Sequence, residues 1–344
     1  MQQSWTFSEI WNDSLLTFDE RTLIPRDYIY ASELGGSFID RYLRMMGTKP
    51  TNPPNDRSRR KFQAGNIWEW IIGFVLLRAG IMRKKQIRAE VTLPGLLRVS
   101  GRLDFVAGGR PDWEKSQYEI DHMDFPPFIE YATKKIIENF KKNYGDTELE
   151  ELVMEVKSMA PTVFERAMKT KQANPNHVLQ NFHYVFGGPY DFGKLSYVCK
   201  DDCRLLEFPV YKSAYDTQMD YQQDIQTMSD YYNAKQVPPK EQELLFDQAT
   251  GRFNTNWKVE YSGYLTMIYK YQYPDDYRNT YKSMVASFNR VFKRCVNGDK
   301  MTDNNKIAIR LAKKYFPDFD LYVDISKKQG IVEVPEEEEV ETDS

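Results

Sequence analysis

Residues 87–93 and 97–107 are two strand-patterned runs that meet at a Pro94-Gly95 turn, and a third run follows at residues 152–158. A hairpin signal of this kind fixes two neighbouring antiparallel strands before anything else about the chain is known. Ahead of it, residues 59–79 read as a helix, with Ile67, Ile71, Phe74 and Val75 at the spacing of one helical face and Gly80 placed to end it. After the third strand comes a helical stretch ending near Phe186, then strand candidates at 195–199 and 204–210. The order helix, strand, strand, strand, helix, strand predicts an α/β fold, a central mixed β-sheet flanked by helices.

The remaining segments are assigned around that core. Residues 14–47 read as helical with a turn at Ile24-Pro25, and 48–58 as a Pro/Asn loop, so 1–58 is an N-terminal helical segment packing on a core of 59–214. Residues 108–150 break the strand pattern with a polar, Pro-containing loop and a helix at 128–144, a helical insertion on the outside of the sheet. A helix over 215–234, with Pro238 and Pro239 just beyond it, opens a mainly helical C-terminal region over 215–330, with further helices at 277–295 and 303–315. There is no internal repeat.

The net charge of −3 conceals an uneven distribution. From Glu333 onward, EVPEEEEVETDS carries seven acidic and no basic residues, so the body before it carries +4. Such a block reads as a disordered, solubilising tail over 331–344. Basic residues recur in the body at Arg57, Arg59, Arg60 and Lys61, at Arg83, Lys84 and Lys85, and at Arg166, Lys169 and Lys171. Groups of this kind supply salt-dependent phosphate contacts, although a solvated surface explains them equally well one by one. The first residues are polar with scattered aromatics and do not resemble a signal peptide, no apolar run reaches the length of a membrane span, and the only cysteines are Cys199, Cys203 and Cys295. The expectation is a reduced, cytoplasmic protein with no membrane partner.

Strand alternation carries the chemistry. It puts Ser100, Arg102, Asp104 and Val106 on the opposite face from Val99, Gly101, Leu103 and Phe105, so Asp104 is expected to point away from the apolar face. In the third strand Val153, Glu155 and Lys157 share a face. Placing a carboxylate and an amine together there is expensive unless they bind something. Asp104 and Glu155 suit a hard cation such as Mg²⁺, which takes one or two protein carboxylates, and the backbone carbonyl of Val156 adds an oxygen. Lys157 is then placed to orient an attacking water or to stabilise developing charge. Alone, E-x-K is a common chance pattern in a chain with 28% charged residues, and its bland reading is an ion pair on a sheet edge. Cys199-x₃-Cys203 lacks the second pair of ligands a structural zinc site needs, and His122, His177 and His183 show no ligand spacing.

Taken together, these motifs resemble the RecB-type branch of the PD-(D/E)XK nucleases, which includes RecB-like and CRISPR-associated exonucleases. Gly65-Asn66-Ile67-Trp68-Glu69 matches that branch's Gly-x-x-x-His/Glu helix, Gly101-Arg102-Leu103-Asp104 its strand aspartate with Leu where Pro is nominal, Glu155-Val156-Lys157 its E-x-K, and Gln180-Asn181-Phe182-His183-Tyr184 its Q-x-x-x-Y. The resemblance spans residues 65–184 and implies a restriction-endonuclease-like core. It also implies Glu69, Asp104, Glu155 and Lys157 as the catalytic set, Glu69, Asp104, Glu155 and Val156 as ligands of one or two Mg²⁺ or Mn²⁺ ions, and Gln180 and Tyr184 as positioning residues. Arg59 and Arg60 join the last two as candidate DNA contacts. Many relatives hold an iron–sulfur cluster, but here Ser37, Tyr261 and Tyr264 stand where cysteines are expected, so no cluster is expected.

The implied activity is metal-dependent hydrolysis of DNA, exonucleolytic on ends or single strands, in recombination, repair or replication and with a protein partner from those processes. A structure-selective or sequence-specific endonuclease on the same fold and a non-catalytic DNA-binding or assembly protein are the alternatives.

Overall fold

The computed structural model describes residues 23–122, 127–248 and 250–329, so the acidic tail and the helix expected before Leu23 lie outside the described residues. The chain divides into two compact units, one holding Met1–Lys49 with Pro53–Pro238, the other Pro50–Asn52 with Pro239–Ser344.

The first unit is α/β, with a mixed six-stranded sheet flanked by helices. Its strands are β1 (Tyr28–Tyr30), β2 (Met82–Val91), β3 (Arg98–Gly109), β4 (Leu149–Met159), β5 (Phe192–Cys199) and β6 (Leu205–Tyr211). The expected hairpin is present, with β2 antiparallel to β3. β4 runs antiparallel to β3 and parallel to β5, a crossing made through helices α5 (Pro161–Thr170) and α6 (Pro175–Phe186). These two replace the single helical stretch read before Phe186. They are split because Lys171 takes a left-handed backbone at the end of α5 and Pro175 restarts the chain with Asn174 as its cap.

The N-terminal segment differs from the helix expected over 14–47. Tyr28-Ile29-Tyr30 is a strand parallel to β3, pairing Tyr28 with Arg98 and Tyr30 with Ser100, and α1 (Phe38–Met45) follows, capped by Ser37. Three residues carry no period, so local pattern could not reveal a strand that exists only because β3 offers an edge. The 48–58 loop also ends earlier than expected, because Asn55 caps α2 (Asp56–Arg78).

Within α2 the buried face is not the expected one. Ile67 is 44% and Val75 37% exposed, while Gly73 and Leu76 face the sheet. A Cβ on Gly73 would stand 2.8 Å from the Phe105 ring, so glycine is what lets the helix seat on β3. Leu76 packs there with Phe105, Ala107, Met154 and Val156, while Val99, Leu103, Val106 and Val153 belong to a larger core with α6. Both faces of β3 are therefore covered, and Asp104 is itself buried.

The insertion contains two helices, α3 (Trp113–Asp121) and α4 (Pro127–Tyr144), where a loop and one helix were expected. α7 (Tyr215–Asn233), assigned by sequence to the C-terminal region, contributes Tyr221, Ile225 and Met228 to the core of the first unit. The second unit is mainly helical, with α8 (Trp257–Glu260), α9 (Leu265–Tyr269), α10 (Pro274–Asn297), α11 (Asp303–Tyr315) and α12 (Phe319–Gln329). It also holds a hairpin missed in the sequence, β7 (Leu244–Asp247) with β8 (Arg252–Thr255), whose Phe246 and Phe253 sit among Phe292, Phe316 and Phe319. Among the described residues no helix is long and apolar enough to cross a membrane.

Candidate metal and phosphodiester site

The site forms where β3 changes partners. Along one side β1 pairs with Arg98–Ser100 and β4 with Phe105–Gly109, and the four residues between, Gly101–Asp104, have no register partner in either strand. Asp104 fills this interruption by accepting the Val156 backbone N–H at 2.8 Å on Oδ2, a side-chain substitute for a ladder bond. In an extended strand a residue's N–H and C=O leave by the same edge, so the Val156 carbonyl opens toward the same gap.

Glu155, 2% exposed, comes from the adjoining residue of β4. Its Oε1 accepts from Lys157 Nζ at 2.6 Å and from Gln180 Nε2 at 2.8 Å. Its Oε2 is buried and has no hydrogen-bond partner among the described residues. Leaving a buried carboxylate oxygen unpaired costs about 1–3 kcal/mol or more, so such an atom calls for a ligand. Gln180 Nε2 also reaches the Tyr184 hydroxyl at 3.2 Å, and that hydroxyl donates to the Arg102 carbonyl at 3.1 Å. One turn apart on α6, these two side chains tie Glu155 to the strand that carries Asp104. Gly101 permits this approach, since a Cβ there would meet the Tyr184 ring at 2.8 Å.

The electrostatics follow from crowding acids in a dry place. Burial, then the charge of Glu155, pushes Asp104 up to about 8, against the lowering effect of the Val156 N–H. Burial raises Glu155 as well, against the pull of Lys157, and Lys157 is held protonated by Glu155 in spite of its own burial. The negative charge of Glu69 acts on all three. Two buried carboxyls that resist ionisation together with an orphaned oxygen fit a divalent cation, whose charge removes the penalty on both. The fit is to Asp104, Glu155 and the Val156 carbonyl. Glu69 hydrogen-bonds through Oε1 to Gln86 Nε2, and among the described residues no three or more of His, Cys, Asp and Glu are gathered closely enough to hold a metal unaided.

Arg59 pairs loosely with Asp56 at 3.7 Å, and with Arg60 it lies about 15 Å along the α2 axis from Glu69. His183 is fully buried: it accepts the Tyr221 hydroxyl on Nδ1 at 2.8 Å and donates from Nε2 to the Ala89 carbonyl at 3.3 Å, and burial holds it neutral at about 4. Cys199 and Cys203 bracket the β5–β6 turn, the first buried and the second exposed. Ser37 caps α1 in the first unit, while Tyr264 is buried and Tyr261 exposed in the second. Sequence reasoning missed two residues. Gln86 has no motif of its own. His177, which bonds the Tyr197 hydroxyl at 2.9 Å and feels the charge of Lys157, was passed over because its partners lie on another element.

No family model and no curated protein matches the chain. A solved structure described as "Crystal structure of SSO0001" aligns with 75% of this chain and 93% of its own at 13% identity and a TM-score of 0.39, a similarity too low to carry an argument about fold or function.

Proposed function

We infer that this chain is a Mg²⁺- or Mn²⁺-dependent DNA nuclease, and that it acts as an exonuclease on DNA ends or single strands in recombination, repair or replication. The observation that supports the reading most is the buried Glu155 Oε2 without a partner, beside an Asp104 carboxyl raised to about 8 and an amine two residues along the same strand. A buried carboxylate oxygen left open is costly unless a ligand meets it.

In this reading Asp104, Glu155 and the Val156 carbonyl would hold the cation, and Glu69, whose charge reaches them although the three acids are not gathered closely, would turn toward it as a further ligand. Bound there, Mg²⁺ or Mn²⁺ supplies Lewis-acid polarisation of a phosphoryl oxygen and a more acidic attacking water. Asp104 would hold the cation as its carboxylate, the proton having passed to solvent. Lys157, released in part from Glu155, donates to the attacking water or to a non-bridging phosphoryl oxygen, where negative charge grows in the transition state. Gln180 fixes the Glu155 carboxylate in one orientation, and Tyr184 fixes the backbone at Arg102. Arg59, Arg60 and their basic neighbours on α2 contact backbone phosphates without reading sequence.

Incubating the full-length protein with end-labelled linear DNA and with closed circular DNA, in Mg²⁺, Mn²⁺ or EDTA, tests the reading. Progressive loss of linear DNA in either metal, with circles intact and EDTA samples inert, is the expected result. Cutting of circles assigns an endonuclease to the same site, and inertness toward every substrate in both metals leaves a DNA-binding or assembly protein as the better account.

A further inference from the structure

The geometry points to Gln86 as a positioning residue that holds Glu69 in place for cation binding, an inference that rests on the nuclease reading above. β2 and β3 pair Lys85 with Phe105 and Ile87 with Leu103, so Gln86 stands across from Asp104. Beyond the register shift between Met82 and Lys84, β2 leaves strand geometry at Gln86, which has φ +52, a left-handed conformation that residues with a Cβ rarely adopt. A glycine would take that conformation without strain. A long amide side chain kept there means that the side chain is used, since strained backbone persists where surrounding interactions over-determine it. Its use is visible in the hydrogen bond from Gln86 Nε2 to Glu69 Oε1.

That bond bridges α2 and β2, two elements that also pack on each other. Glu69 belongs to α2, and its flexible side chain is only partly buried. Fixing Oε1 leaves the second oxygen of Glu69 to turn toward a cation held at Asp104 and Glu155, both of which feel its charge although the three acids are not gathered closely. Groups that orient a ligating carboxylate in this way typically set metal affinity by about 10–100-fold. Irregularities in edge strands next to active sites commonly serve to re-aim one side chain.

The experiment is titration of the full-length protein with Mn²⁺, free ion being measured by electron paramagnetic resonance, for wild type, Gln86→Gly, Gln86→Asn, Glu69→Gln and the Gln86→Gly/Glu69→Gln double variant. Thermal melts run alongside. Expected is a rise of about 10-fold or more in the half-saturating Mn²⁺ concentration for Gln86→Gly, with a melting temperature unchanged or higher because glycine suits the backbone. Gln86→Asn, which tolerates the left-handed backbone but has a shorter reach, is expected to fall between the two. The double variant should bind no more weakly than Glu69→Gln alone, because both substitutions remove one function. Wild-type affinity in both Gln86 variants, or full additivity in the double variant, overturns the inference while leaving the nuclease reading intact. A wild type that takes up no Mn²⁺ overturns the nuclease reading, and the inference falls with it.

Discussion

Glu155→Gln should lower DNA cleavage by about 100- to 1000-fold or more while leaving the protein folded. The two expectations separate function from structure. In the resting protein the Glu155 carboxylate is buried, shares one oxygen between Lys157 and Gln180, and leaves the other without a partner. A neutral amide of the same shape removes a buried charge and puts a weak ligand where a strong one stood. Stability should hold or rise, and chemistry should collapse. Lys157→Gln is the companion variant: it keeps a donor near Glu155 but lacks the positive charge, so cleavage should fall by a similar factor with little change in cation affinity. Rates within a few-fold of wild type for both variants, measured under single-turnover conditions, would remove these residues from the mechanism.

The second large effect concerns the fold. Arg41 of α1 is buried and forms two hydrogen-bonded contacts with Asp224 of α7, Nη1 to Oδ2 at 2.6 Å and Nη2 to Oδ1 at 2.8 Å. Asp224 also accepts the Gly35 N–H at 3.2 Å, and the Arg41 guanidinium lies 4.5 Å from the centre of the Phe38 ring. This pair ties the N-terminal segment, which supplies β1 to the sheet, to a helix near the end of the unit. Arg41→Ala leaves Asp224 buried and uncompensated, and denaturant unfolding should show a loss of about 3–5 kcal/mol. The double change Arg41→Met with Asp224→Leu should recover most of it, because a packed apolar pair replaces the two charges. A loss below about 1 kcal/mol for Arg41→Ala would place the pair with ordinary surface ion pairs.

How far the sequence discloses this arrangement depends on the range of the interaction. The hairpin of β2 and β3 and the strand bearing Glu155 and Lys157 were legible because alternation and the Pro94-Gly95 turn are local signals. Gln180 and Tyr184 were singled out by the resemblance to the Q-x-x-x-Y pattern, and their shared hydrogen bond follows because a helix places residues four apart on one side. The gap in β3 that receives Asp104 was not legible. It depends on the three-residue strand β1 arriving from the far end of the unit, and no window of sequence contains both partners. The same reason hid the role of α7, whose polar composition masks Tyr221, Ile225 and Met228, and the partnership of Gln86 with Glu69, which depends on how α2 crosses β2. The face of α2 was misjudged because its large apolar residues are not the ones that touch the sheet. Gly73 and Leu76 do so, and a glycine contact has no hydrophobic signature.

The central claim is that a divalent cation binds at Asp104 and Glu155, and proton release on binding tests it most directly. Asp104 sits at about 8 against an ordinary value of 3.8, so in the metal-free protein at pH 7 the carboxyl is mainly protonated. Because the folded-state value is raised, its contribution to stability is full below pH 4 and is lost as pH rises through 8, where ionisation favours the unfolded chain. A bound cation reverses this by requiring the anion, and the proton must leave. Calorimetric titration of Mn²⁺ into the protein at pH 7, in buffers of different ionisation enthalpy, should therefore show roughly one proton released per ion bound, and Asp104→Asn should abolish both the release and most of the binding. Absence of binding, or binding without proton release that Asp104→Asn leaves unchanged, would contradict the account.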